Sequence, residues 1–316
     1  MPQLHLHGVR MWVTEGCNAS CHFCMNAKGR THAQMDYDRF DRLCLYFRQN
    51  SFDKIAIMGG EPTIHRDFLE IMQAAQHYFP IVYLFTNALS YSDLLKYNPR
   101  KTDAIVYNFN FSKSLNPENL LLNKLGDRVI DVVIDKNSNI TELTKEILRV
   151  ASFNFKRIKV QLVINNCLNI FKYKEQIVSN VKKLYNNLDA EPRINKVFEC
   201  NAPMCFTIGV NLPPFKINTF CEPRSVLIDG NYNLRFCNLF NEPLTNMFKE
   251  DGIIPFSIVK NQIELAYYKS RVLCLEKICK DCVFYGIKCN GKCLVGQDII
   301  TKEDIISTTK LPWLKQ

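Results

Sequence analysis

Thr14-Glu15-Gly16-Cys17-Asn18-Ala19-Ser20-Cys21-His22-Phe23-Cys24 follows directly on an apolar stretch of strand character and sets three cysteines at C-x₃-C-x₂-C spacing. Three thiolates can ligate three irons of a cubane iron-sulfur cluster and leave the fourth iron open to a substrate or cofactor. Two other readings compete. The i, i+4, i+7 spacing also fits one face of a helix, which would make the cysteines a buried stripe, although Gly16, Asn18, Ser20, Asn26 and Gly29 favour a loop. Zinc is the second; a structural zinc usually recruits a fourth Cys or His nearby, and His22 is at hand.

Further along, the short apolar run Lys54-Ile55-Ala56-Ile57-Met58 leads at once into Gly59-Gly60-Glu61-Pro62-Thr63. Two glycines at a strand end let the backbone approach a ligand, and Pro62 fixes the turn while removing one competing donor. Alone, this stretch would read as an ordinary strand-to-helix turn. With the cysteines ahead of it, it resembles the radical S-adenosylmethionine (SAM) superfamily, whose motifs are C-x₃-C-x-aromatic-C, with Phe23 in the aromatic place, and GGEP. The resemblance implies that Cys17, Cys21 and Cys24 hold a catalytic 4Fe-4S cluster. It further implies that the backbone around Gly59, Gly60, Glu61 and Pro62 receives the amino group of SAM. The activity implied is reductive cleavage of SAM to a 5′-deoxyadenosyl radical, which abstracts hydrogen from a substrate.

From residue 9 to about residue 200 apolar runs alternate with amphipathic stretches, the pattern of repeated βα units on a mostly parallel sheet. Strands are predicted over Val9 to Thr14, Lys54 to Met58, Ile81 to Thr86, Ala104 to Phe109, Val129 to Ile134 and Ile158 to Ile164. Helices are predicted around Tyr37 to Asn50, Asp67 to Tyr78, Ser90 to Tyr97, Pro117 to Leu125, Ile140 to Phe153 and Tyr173 to Asn187. The fold class expected is α/β, and by resemblance a partial (β/α)₆ barrel, with both motifs at carboxyl ends of strands where parallel sheets place ligands. Polar residues at other strand ends, Thr86-Asn87, Asn108, Asn110, Ser112 and Asn165, suit a zwitterionic cofactor, though an Asn after a strand is more often a turn residue. By resemblance Asn108 and Ser112 are expected to help hold the ribose or carboxylate. Cys44, among Leu43, Leu45 and Phe47, reads as a packing residue.

The chain has 316 residues, of which 47% are hydrophobic and 22% charged, a globular balance that excludes a disordered or repeat protein. Neither a membrane-length apolar run nor a secretory start is present, so the expected location is the cytoplasm. Fourteen cysteines in such a chain point to metal rather than to disulfides. The net charge of +9 comes from scattered basic residues, and nucleic-acid binding is not expected.

After Pro192 the pattern breaks into short Pro-, Asn- and Cys-rich runs, so a core domain is expected over residues 1–200 and a small irregular cysteine-rich domain over residues 201–316. Nine cysteines lie between Cys200 and Cys293, and Cys279, Cys282, Cys289 and Cys293 stand at C-x₂-C-x₆-C-x₃-C spacing. This run closely resembles the SPASM/twitch extension that carries auxiliary 4Fe-4S clusters; the competing reading is a four-cysteine zinc ribbon, whose Cys pairs usually stand further apart. The resemblance groups Cys221, Cys237 and Cys293 around one cluster, with Gly230 in a hairpin between the first two and Cys205 or Cys200 completing the set. It assigns Cys279, Cys282 and Cys289 to another. Gly230 stands seven residues before Cys237, further than usual, and no cysteine follows Cys293, so one or two auxiliary clusters are expected, the outer one completed by Cys274 or a non-Cys ligand or left with an open iron.

Extensions of this kind recur in enzymes that modify ribosomally made peptides, so the expected substrate is a peptide undergoing crosslinking, dehydrogenation or epimerisation. Epimerisation requires a thiol hydrogen donor, for which Cys205, Cys200 and Cys167 are candidates. Because the barrel starts near residue 9, leader recognition is expected to fall to a separate binding protein or to the barrel mouth, and the electron to come from a flavodoxin or ferredoxin. The alternatives are a radical dehydrogenase of a sugar or other small molecule and, more remotely, an iron-sulfur electron carrier or binding module.

Overall fold

The structure is a computed structural model, and it describes residues 4–21, 24, 33–108, 124–134, 137–153, 158–164, 174–198, 225–236, 243–250 and 252–273. Strands β1 (Gly8–Thr14), β2 (Lys54–Gly59), β3 (Ile81–Thr86), β4 (Ala104–Asn108), β5 (Asp127–Ile134), β6 (Ile158–Ile164) and β7 (Ile194–Phe198) pair in sequence order. Every pairing from β1 to β7 is parallel. Helices α1 (Tyr37–Gln49), α2 (Phe68–Tyr78), α3 (Tyr91–Lys96), α4 (Ile140–Ala151) and α5 (Lys174–Asn187) fall in the connections. This is the α/β partial-barrel architecture read from the sequence, with β7 added to the six predicted strands. The predicted helix over Pro117 to Leu125 lies, but for its last two residues, outside the described residues.

Strand β1 is buried on both faces and is a nearly continuous apolar run, with all but one of its residues buried, whereas β3 alternates buried and half-buried positions. Met11, Ile57, Leu84, Ile105 and Ile130 join the large core shared with the helices, while Ala104, Val106 and Val129 form a smaller cluster with Tyr83 and Phe85. Helix α1 is opened by Asp36, whose carboxylate accepts the Arg39 N–H at 3.2 Å. It buries Phe40, Leu43, Cys44 and Phe47 at helical spacing. Burial holds the Cys44 thiol well above its ordinary range, so it is an inert packing residue, as expected.

At the amino ends of the strands Asp103, 1% exposed, gathers the Arg100 side chain (Nη2 to Oδ1, 2.9 Å), Gln76 Nε2 (2.7 Å) and the Val82 N–H (3.3 Å). This cluster ties α2, β3 and β4 together.

The predicted boundary near residue 200 lies outside the described residues. Strand β8 (Ser225–Ile228) lies parallel to β1, with Gly8 opposite Ser225, and turns through Gly230 into antiparallel β9 (Asn233–Arg235). With β10 (Thr245–Asn246) these complete a ten-stranded sheet. Buried Asp229 fixes the turn by accepting the N–H groups of Asn231 and Asn233 and the Arg235 Nε at 2.6 Å. A two-stranded ribbon, β11 (Phe248–Lys249) with β12 (Gly252–Ile253), leads to α6 (Phe256–Leu273). This segment packs on α1: the Tyr46 hydroxyl donates to Ile254 O at 3.0 Å, the Asp36 N–H donates to the Tyr232 hydroxyl at 2.6 Å, and Phe256 meets Phe52 edge to face. No described helix is long and apolar enough to cross a membrane.

Candidate functional site

The cysteine loop leaves the carboxyl end of β1 and returns beside it. Glu15 N–H donates to Ala33 O and Met35 N–H to Val13 O, each at 2.8 Å, and Thr14 and Gln34 form an antiparallel bridge. The Thr14 hydroxyl accepts the Gly16 N–H at 3.0 Å. Between these pins Cys17, Cys21 and Cys24 are half-buried, form no disulfide and lie outside any helix, which removes the helical-stripe reading. The Cys24 N–H turns back to Cys21 O at 3.1 Å. Among the described residues no trio of His, Cys, Asp or Glu converges on a single metal ion. A cubane asks for something else, three sulfurs that each take a different iron. A loop of three soft donors pinned at its base fits that group. Phe23 and His22 lie outside the described residues.

The second stretch is welded to the first. Gly59 has φ +139°, and a Cβ there would stand 2.2 Å from Thr14 O. A Cβ on Gly60 would stand 1.9 Å from Gly16 O. The close backbone approach that these glycines permit is to the cysteine loop itself: Gly60 N–H donates to Thr14 O at 2.7 Å and Glu61 N–H to Gly16 O at 2.8 Å.

Glu61 is fully buried, and its carboxylate is saturated. Oε1 accepts the Thr63 N–H (3.1 Å), the Thr63 hydroxyl (2.7 Å) and the Thr86 hydroxyl (2.7 Å), while Oε2 accepts the Asn87 N–H (2.6 Å). Burial raises its pKa, against four donors that pull it down. The side chain therefore ties the end of β2 to the end of β3, leaving the peptide groups around it as the part that can meet a cofactor. Pro62 and Thr63 are buried in the 3₁₀ turn Pro62–Ile64 that follows. His65, 2% exposed, then bridges to the returning loop through Nε2 to Met35 O at 3.0 Å.

Asn87 was legible only as one of several polar strand-end residues. In the structure it is 6% exposed and directs its side-chain amide at Asn18 Oδ1 (2.8 Å) and Cys17 Sγ (3.8 Å). Thr63, Thr86 and His65 carried no signal of their roles, which depend on neighbours brought from other strands. Asn108 ends β4, half-buried and in register with Asp131 of β5. Asn110, Ser112 and Asn165 lie outside the described residues, as do Cys167, Cys200, Cys205, Cys221, Cys237, Cys274, Cys279, Cys282, Cys289 and Cys293.

Residues 11–107, from inside β1 to the end of β4, match the Radical SAM superfamily. The chain carries a radical SAM domain that includes both the cysteine loop and the Gly-Gly-Glu-Pro turn. Among curated relatives, the GTP 3′,8-cyclase of Haemophilus ducreyi is 38% identical over 69 residues, 21% of this chain and 20% of that protein, so the match spans about a fifth of the relative's length. Among solved structures, native anSMEcpe with bound AdoMet and Cp18Cys peptide superposes with TM-score 0.60 at 12% identity, over 93% of this chain and 91% of that one. Streptococcus suis SuiB bound to S-adenosylmethionine gives 0.58 at 16% identity, over 92% of this chain and 73% of that one. At these identities the likeness is one of fold.

Proposed function

We propose that this chain is a radical SAM enzyme that abstracts hydrogen from a peptide. Cys17, Cys21 and Cys24 hold a 4Fe-4S cluster, and the peptide groups from Gly59 to Glu61, with Pro62, Asn108, Ser112, Asn165 and the Phe23 ring nearby, receive SAM. When bound, the two groups supply reductive cleavage of SAM to a 5′-deoxyadenosyl radical, chemistry that no side chain can perform. The chain's own part is positional. The pinned base of the cysteine loop fixes the thiols, and the contacts of Gly60 and Glu61 bring the cofactor-binding backbone against them at the carboxyl ends of three adjacent parallel strands. That contact between the two motifs is the observation that carries the reading.

The peptide substrate is supported by the near whole-chain likeness to anSMEcpe, whose structure holds AdoMet together with a peptide. In this reading Cys221, Cys237, Cys279, Cys282, Cys289 and Cys293 hold one or two auxiliary 4Fe-4S clusters, and Cys205 is a further ligand or a hydrogen donor. A flavodoxin or ferredoxin supplies the electron.

Anaerobic reconstitution tests the first part. With reductant and SAM the wild type forms 5′-deoxyadenosine, and the triple variant Cys17→Ala, Cys21→Ala, Cys24→Ala forms none and holds about four fewer irons. Undiminished formation by the triple variant would reject the assignment. A second reading, a nucleotide substrate, is favoured by the sequence likeness to GTP 3′,8-cyclase. Parallel incubations with GTP and with short peptides encoded beside the gene, read by mass, separate the two. Turnover of GTP alone removes the peptide reading.

A further inference from the structure

Asn87 is held from two sides before its amide reaches anything. Its backbone N–H donates to Glu61 Oε2 at 2.6 Å, and its side-chain Oδ1 accepts the Leu89 N–H at 2.9 Å. With Oδ1 occupied as an acceptor, the orientation of the amide is fixed, and both hydrogens of Nδ2 face the cysteine loop. One meets Asn18 Oδ1 at 2.8 Å and the other the Cys17 sulfur at 3.8 Å. The residue is 6% exposed, so little water competes for the sulfur contact.

We infer that Asn87 is a positioning residue that tunes the cluster, donating a fixed N–H to the Cys17 thiolate and making that cluster easier to reduce. The inference rests on the assignment of Cys17, Cys21 and Cys24 as ligands. Hydrogen bonds to cluster sulfurs help set the reduction potential, because a donor stabilises the more negative, reduced state more than the oxidised one. Glu61 takes part at one remove: its carboxylate clamps the Asn87 backbone, so the Gly-Gly-Glu-Pro turn serves the cluster as well as the cofactor. The fold thereby directs at the cysteine loop an Asn that the sequence offers only as one of several polar strand-end residues.

The test is a redox titration of the anaerobically reconstituted full chain, followed by the EPR signal of the reduced cluster. Asn87→Leu and Asn87→Ala each remove the donor without adding charge beside the sulfur; each is expected to lower the reduced-to-oxidised ratio at a fixed potential about tenfold, a midpoint shift of about 59 mV for one electron. Asn18→Ala, which leaves the sulfur contact in place, is expected to shift the ratio less than threefold. Reduced wild-type protein labelled with heavy-nitrogen asparagine provides a readout independent of substitution, a magnetic coupling between the cluster and one asparagine amide. Unchanged midpoints in both Asn87 variants, or the absence of that coupling should neither variant hold a cluster, overturns the inference. A wild-type chain that takes up no cluster, or cleaves no SAM, instead ends the functional reading on which it rests.

Discussion

Gly60→Ala is the sharpest perturbation of the contact between the two motifs. The added Cβ would lie 1.9 Å from Gly16 O, 2.6 Å from Gly16 C and 2.7 Å from Glu15 O, all backbone atoms with no rotamer to escape into. Relief requires the cysteine loop to move off β2 by about an ångström or more, since van der Waals contact begins above about 3 Å. That shift breaks the bonds from Gly60 N–H to Thr14 O (2.7 Å) and from Glu61 N–H to Gly16 O (2.8 Å). Two such bonds at about 0.5–1.5 kcal/mol each, with an overpacking cost of about 1–3 kcal/mol, give roughly 2–6 kcal/mol. SAM cleavage should fall about a hundredfold, the usual consequence of misplacing a site by an ångström. Gly8→Ala is the control, because its Cβ would make only ordinary contacts, the nearest at 3.6 Å, and should cost within about 0.5 kcal/mol. Urea unfolding of the metal-free chain followed by circular dichroism gives the stability, and 5′-deoxyadenosine formation the function. A Gly60→Ala protein with the wild-type midpoint and wild-type cleavage would refute the packing argument.

Two further outcomes are expected. Asp103→Ala should cost about 1–3 kcal/mol in the same unfolding assay by taking the acceptor from the buried Val82 N–H, yet leave the cluster's midpoint unchanged, because it acts at the opposite end of the strands. Tyr46, which burial raises to about 12, should keep its proton where an unfolded tyrosine loses it near 10; the stability this contributes is full below about pH 10 and lost as pH rises towards 12. Tyr46→Phe should therefore flatten the decline of stability across that window, as read by unfolding at a series of pH values, and an unaltered slope would count against a buried, hydrogen-bonded hydroxyl.

The predicted strands were legible because their sequences are apolar runs with little interruption, whether the strand is buried on both faces, as β1 is, or alternates buried and half-buried positions, as β3 does. Strand β7, Ile194–Phe198, escaped because Asn195 and Lys196 break its run; among the described residues it pairs on one side only, with β6. Strand β8 escaped for a different reason: four residues have no periodicity to read, and what makes them a strand is β1, paired across most of the chain. At the site, the three cysteines proposed to hold the cluster stand out in the sequence because thiolate chemistry admits few substitutes. The work of Glu61 does not. Its carboxylate is spent on Thr63, Thr86 and Asn87, partners that only the fold brings near, and nothing in Gly-Gly-Glu-Pro distinguishes a clamp from a ligand. The Asp103 cluster was hidden likewise, since Gln76 and Val82 reach it from other elements.

The pairing of β1 with β8 has a consequence for how the chain is made. Strand β1 leaves the ribosome well before its second neighbour, Ser225–Ile228. Until then one edge of the strand that leads into the cysteine loop is an unpaired row of peptide groups, a template for the wrong partner. Closing that edge is a non-local step of the kind that slows folding, and it must wait for all the βα units that lie between the two strands. A nascent chain halted before residue 225 would therefore display a half-zipped sheet. This makes the β8–β9 hairpin the late latch that covers this border of the barrel.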